Sequence, residues 1–267
     1  MSIITISRGV YSLGQEVAEK LAEKLGYECI SREILLEASE HFHIPEIKLE
    51  RAIHDAPSIL DRLTYGKERY ISYIKEAILE HLKKDNVVYH GLAGHFFLPN
   101  IDHVLKVRIT SDLEKRVKEE MERNNIPEED ARKLILKDDH ERRQWSEKLY
   151  GIDTWDSSLY DIVLHMGIIG IDEAVHIIKT TLDLPCFETT PESQKALDDL
   201  FLAAHVQAHI VEKLPSVKVS AKDGIVVVNI EAPLRAEDKI SEQIHKIADN
   251  IAGVKEIRLH LISSLYY

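Results

Sequence analysis

Gly9 to Glu16 reads G-V-Y-S-L-G-Q-E and stands between an apolar run, Ile3 to Ile6, and a stretch with Val17, Leu21 and Leu25 at spacing four. A strand feeding a glycine-bearing loop at a helix start binds phosphate, because unpaired backbone N–H groups and the positive end of the helix dipole converge on the anion. In the full pattern, G-x-x-x-x-G-K-[ST], a lysine adds charge at the phosphates and a hydroxyl holds magnesium. Here Gly9 and Gly14 match both glycines, while Gln15 takes the lysine position and Glu16 the hydroxyl position. Taken alone, the loop reads either as a phosphate cradle or as a plain turn. Glu16 has two readings as well, a water-mediated magnesium contact or an acidic side chain stabilised by the helix dipole, and the second is favoured.

The elements that must position this loop follow from periodicity. Ile3 to Ile6 is a short buried strand, and the helix after the loop is closed by Gly26 as its C-cap. A helix over 32–41 and a charged, mostly helical region over 45–84 come next, with Leu60, Leu63, Ile71, Ile74 and Ile78 as a core stripe. Val87 to Tyr89 is a second buried strand, and Val104 to Ile109 a third, alternating Leu105, Val107 and Ile109 against Lys106 and Arg108. Ser111 or Asp112 can cap a helix carrying Leu113, Val117 and Met121. A charged helix over 127–148, a strand over 160–164 and a helix over 171–182 complete an α/β pattern, which implies a parallel sheet flanked by helices. Pro185, Thr189, Thr190 and Pro191 mark 183–193 as a linker. Beyond it, 194–267 reads as helix, strand, strand, helix, strand, a small α+β domain whose middle strands form a hairpin across Asp223-Gly224.

Bulk properties exclude several function classes. The net charge of -12 over 267 residues disfavours nucleic acid and anionic membrane as main partners. Cys29 and Cys186 lie in no C-x-x-C pair, so neither a disulfide framework nor a zinc ribbon is supported. His41 and His43 diverge on a helix, and His205 and His209 share a face without a third ligand, so no metal site is assigned. The N-terminus shows no signal peptide and the chain no membrane span, which leads to the expectation of a cytoplasmic protein.

Five segments resemble the cytidylate kinase-like family in order. Ile4 to Val17, reading I-T-I-S-R-G-V-Y-S-L-G-Q-E-V, is similar to its I-T-I-S-R-E-Y-G-S-G-G-R-E-I, and the run A-E-K-L-A-E-K-L-G at 18–26 continues that start. Ser31 to Leu35 resembles its D-R-E-I-L, Asp139 to Arg142 its D-x-x-R, and Tyr160 to Leu164 its Y-D-L-V-L. The resemblance covers 1–182 and implies a P-loop kinase-type sheet. It also implies phosphoryl transfer from ATP, with Mg2+, to CMP or a similar nucleotide. Ser7, Arg8, Gly9, Ser12, Gly14, Gln15, Glu16 and Arg32 would then bind nucleotide or phosphate. Arg142 and Arg143 would belong to a lid that closes over the phosphates, with Asp139 holding an arginine in place. The plainer reading of that stretch is a solvated, charge-rich helix face.

The departures bear on activity. Tyr11 and Leu13 stand where the family has glycine, Gln15 where it has arginine, and Leu92 where its G-R-G-A segment has arginine. Side chains at Tyr11 and Leu13 are expected to crowd the place where backbone should touch phosphate. The alternative is therefore an inactive kinase-fold nucleotide sensor or interaction protein. The C-terminal segment resembles the BON domain through Val217-Lys218-Val219, the run from Asp223 to Val228 and Gly253 to Ile257. That resemblance implies a small hydrophobic ligand or a protein partner there, and allows a homodimer.

Overall fold

The computed structural model describes residues 2–9, 12–31, 66–91, 94–233, 237–248 and 250–262. Its first part contains β1 (Ile3–Arg8), α1 (Gly14–Leu25), β2 (Glu28–Ile30), α2 (Gly66–Leu82), β3 (Val87–His90), β4 (Val104–Thr110), α3 (Leu113–Asn124), α4 (Glu128–Tyr150), β5 (Ile162–His165) and α5 (Ile171–Leu182). The five strands form one parallel sheet in the order β2-β3-β1-β4-β5. The chain moves outward from β1 to β2, returns through β3, and then crosses to β4 on the other side of β1. The reversal at β1 opens a crevice at the carboxyl ends of β1 and β4, where ligands of open α/β sheets bind.

Each face of the sheet has its own core. Ile4 and Ile6 of β1 with Val88, Leu105, Val107 and Ile109 pack against Val17 and Leu21 of α1 and against Val175 and Ile178 of α5. Ile3, Val87, Tyr89 and Val104 pack on the other face against Ile74 and Ile78 of α2. The stripe read from the sequence is thus present at Ile71, Ile74 and Ile78, while Leu60, Leu63 and the 32–41 helix lie outside the described residues. β2 has no counterpart in the sequence reading, because three residues are too short to display an alternation. Gly26 closes α1 at φ 68° in the left-handed region, as expected. Asp112 takes the N-cap position of α3 without accepting a capping bond, and its carboxylate lies 3.3 Å from His165 Nε2 instead.

The second part comprises α6 (Pro191–Ile210), β6 (Lys218–Lys222), β7 (Ile225–Glu231), α7 (Glu237–Ala248) and β8 (Glu256–Ile262), with sheet order β6-β7-β8. β6 and β7 are antiparallel across Asp223 and Gly224, at φ 56° and 85°, and β8 runs parallel to β7 after the α7 crossover. The positive φ at both turn residues gives the hairpin the twist that two-residue loops require. Pro191, read from the sequence as an interruption, instead starts α6: it fills the first turn, and Thr190 Oγ1 accepts a bond from the Ser193 N–H at 3.1 Å. α6 supplies Leu197 and Ala204 to the core beside α2, and Leu202, Val206 and Ile210 to the core of the small sheet. No helix among the described residues is long and apolar enough to cross a membrane.

Candidate functional site

The carboxyl end of β1 leads into a loop fastened by its own backbone. The Gly9 N–H donates to Ile109 O at 3.2 Å, and the buried Ser12 hydroxyl donates to Gly9 O at 3.0 Å. Leu13 takes the N-cap position of α1 at φ 61°, a conformation that costs about 1–2 kcal/mol for a residue with a Cβ. Its side chain packs against the cluster around Ile4 and Val17, so its bulk is directed into the core. Tyr11, the other side chain expected to crowd the loop, lies outside the described residues, as do Leu92 and Arg32. Gly14 is required sterically: a Cβ there would fall 2.6 Å from Arg8 Cβ. Arg8 therefore lies along the first turn of α1, and its buried Nε has no hydrogen-bond partner among the described residues. Burial lowers the Arg8 pKa and Glu16, in the same turn, opposes that shift. The guanidinium remains charged.

Gln15 faces elsewhere than a lysine would. Gln15 Nε2 donates to Glu19 Oε1 at 2.8 Å along the exposed side of α1. Glu16 is half-buried in the first turn. Among the described residues no side chain caps α1, so the N–H groups of its first turn lie open to a ligand at the mouth of the loop. An anion placed there would meet the positive end of the helix dipole.

A cation that the sequence reading did not single out completes this arrangement. Arg116 of α3 is buried, and a Cβ on Gly9 would stand 3.7 Å from its Nη1. The same Nη1 donates to Asp139 Oδ2 at 2.8 Å, with both side chains largely buried. Asp139 thus holds an arginine in place, and that arginine is Arg116. The signal lay in helical spacing: Leu113, Val117 and Met121 line the α3 face that packs on α4, and Arg116 and Glu120 fall beside them. Charged residues on a buried helical face are uncommon unless partnered or functional.

The other predicted lid residues separate. Arg142 is half-buried one turn beyond Asp139, near Asp138, whose pKa is raised by burial and opposed by Arg142. Arg143 points outward, with Nη2 2.5 Å from Asp153 Oδ2, Nε 3.4 Å from Glu147, and its guanidinium over the Trp155 ring. Asp153 is held low first by the Trp155 N–H and then by Arg143. Ser7 projects to the opposite face of β1 from Arg8, where its hydroxyl meets Arg108 Nη1 at 3.4 Å and Tyr160 Oη at 3.2 Å. His205 and His209 are engaged separately, His205 Nδ1 with Glu76 at 2.8 Å and His209 Nδ1 with His205 O at 2.9 Å.

Comparison with known proteins places this geometry. The model of the Cytidylate kinase-like family matches residues 3–168. The cytidylate kinase of Ignicoccus hospitalis is 29% identical over 186 residues, covering 68% of this chain and 99% of its own. That of Desulfurococcus amylolyticus is 28% identical over 171 residues, covering 62% of this chain and 84% of its own. A crystal structure of an uncharacterized protein from Eubacterium ventriosum superposes with a TM-score of 0.54 at 24% identity, over 68% of this chain and 99% of that one, and shares the fold.

Proposed function

Because this chain belongs to the cytidylate kinase-like family, we propose that it binds ATP at the Gly9–Gly14 loop and transfers the terminal phosphoryl group to CMP or a similar nucleoside monophosphate. One observation carries the reading: the uncapped start of α1 and the Asp139-held Arg116 converge on the same loop. Phosphoryl transfer asks the protein for positioning and positive charge more than for covalent chemistry. First-turn N–H groups of α1 donate to phosphate oxygens. Arg116 neutralises charge as it develops on the transferred group, and Asp139 fixes its direction. Arg8, braced against Gly14, adds a second positive charge at the strand end. Arg142, one turn from Asp139 on α4, closes from above.

Glu16, a half-buried carboxylate in the first turn of α1, is the residue that would hold a magnesium ion carried in on the triphosphate. Such an ion supplies charge neutralisation at the phosphates. The small C-terminal sheet with its two helices is read as a BON-like module that takes a hydrophobic ligand or a protein partner.

The test is calorimetric titration with nucleotides followed by an assay of ADP release with each monophosphate. Turnover with a pyrimidine monophosphate is the expected result. Tight binding without turnover for any acceptor would replace the kinase reading with that of a nucleotide sensor, and absence of nucleotide binding would sink both.

A further inference from the structure

The small sheet lies beyond residue 168, where the family match ends. Four strands stand at sheet edges, β2 and β5 in the first sheet and β6 and β8 in the second. An edge strand offers unpaired backbone groups to another chain, and short length, lysine or proline blunts that offer. β2 has three residues, β5 four, and β6 five with a lysine at each end. β8 has none of these protections: it reads E-I-R-L-H-L-I over seven residues in unbroken register with β7. Its backbone alternates in direction. Ile262 O accepts from the Ala232 N–H at 3.3 Å and the Glu256 N–H donates to Gly224 O at 3.4 Å, so the even-numbered residues turn toward β7. Ile257, Leu259 and Leu261 therefore turn their N–H and C=O groups to the side where β8 has no neighbour among the described residues. The side chains of the same three residues are only partly buried, at the rim of the small core. Backbone polar groups and apolar side chains are thus open along one line.

We infer that β8 pairs antiparallel with β8 of a second copy of this chain, across a two-fold axis at Leu259, so that two small sheets join into one of six strands. The strand is complementary to itself in that register. Leu259 meets Leu259, Ile257 meets Leu261, and all seven residues are paired, with the outward N–H and C=O groups of one copy facing those of the other. The partly exposed apolar side chains then cover one another on the helix side of the sheet. On the other side Arg258, already bound to Glu256 of its own strand at 2.7 Å, lies opposite His260, and Glu256 lies opposite Ile262. A slip of two residues in one direction sets Arg258 against Arg258, in the other His260 against His260, and either way fewer residues pair. A slip of one sets outward backbone groups against residues already bonded to β7. The strand therefore fits a second copy of itself in one register. The inference concerns a segment outside the family match and does not depend on the kinase reading.

The test is sedimentation velocity on the full chain, whose mass is 30.6 kDa. A species of twice that mass is expected. Leu259→Pro removes an N–H that β7 does not use, and should leave the chain folded by circular dichroism but at monomer mass. The register is read by cross-linking with oxidised glutathione in a Cys186→Ser background, because Cys186 is exposed. There Leu259→Cys should form an intermolecular disulfide, since the two Cα atoms of a bonded antiparallel pair lie about 5.5 Å apart. Ile257→Cys, which faces Leu261 of the second copy, should not. Should Leu259→Pro fail to fold, the two cysteine variants carry the test. A wild-type chain that stays at monomer mass up to about 100 μM overturns the inference and leaves the edge to a different protein. A dimer that persists in folded Leu259→Pro overturns it as well. So does a dimer that Leu259→Cys fails to cross-link, or that cross-links through Ile257→Cys instead.

Discussion

Arg116 and Asp139 concentrate the consequences that can be read at single residues. Arg116→Gln removes the cation beside Gly9 and should lower kcat/KM for ATP by about 10- to 100-fold, the worth of one charge-assisted contact, as measured by ADP release. Asp139→Ala leaves the guanidinium buried without its carboxylate. It should cost about 2–3 kcal/mol in urea denaturation, somewhat less than breaking a fully buried pair. His95 makes a prediction in pH. Its folded pKa, pushed down to about 3, lies below the ordinary value of 6.5, so the unfolded chain binds the proton more readily. The neutral ring's contribution is complete above about pH 6.5 and is lost as pH falls toward 3, at up to about 1.4 kcal/mol per unit. His95→Phe should therefore flatten the acid limb of stability between pH 6 and 4, and an unchanged limb would show that His95 does not control it. The sequence displayed the loop residues by their spacing. It displayed Arg116 only as a charge beside the Leu113, Val117 and Met121 stripe and Arg108 only as one member of a strand alternation, and it gave no sign of what either touches or of His95, because a contact across the fold leaves no periodic signal.

At the scale of the element, α1 is where loop and helix meet, and Gly14 is the joint. The 2.6 Å approach that a Cβ would make to Arg8 Cβ forces either the helix start or the arginine to move. Gly14→Ala should destabilise the protein by about 1–3 kcal/mol in thermal or urea unfolding and weaken ATP binding at the same time. Loss of stability with intact ATP affinity would separate Arg8 from the phosphate site. The helices with clean apolar periodicity, α1 and α5, were legible nearly to the residue, since one face of each is buried on the sheet. The start of α6 was not. Pro191 has two meanings, breaker and first-turn residue, and only the Thr190 cap beside it decides between them.

For the whole molecule, the governing feature is that α6 belongs to two cores at once. Leu197 is fully buried against the first sheet's core, although it lies in the helix that leads into the small sheet. Leu197→Ala should lower stability by about 2–5 kcal/mol and shift the unfolding of both parts together, monitored by hydrogen exchange in α2 and in β7. Exchange accelerated in one part alone would show that the two cores unfold independently. The sequence by itself determined the alternation of strands and helices, the phosphate-type loop after the first strand, and the family. These are local patterns, carried by residues near one another in the chain. Tertiary structure alone decided that Arg116 stands at Gly9, that Asp139 holds it, and that Arg108 faces Ser7 and Tyr160. Each is a contact between segments far apart in sequence, fixed by strand order and helix packing, which no spacing along the chain encodes.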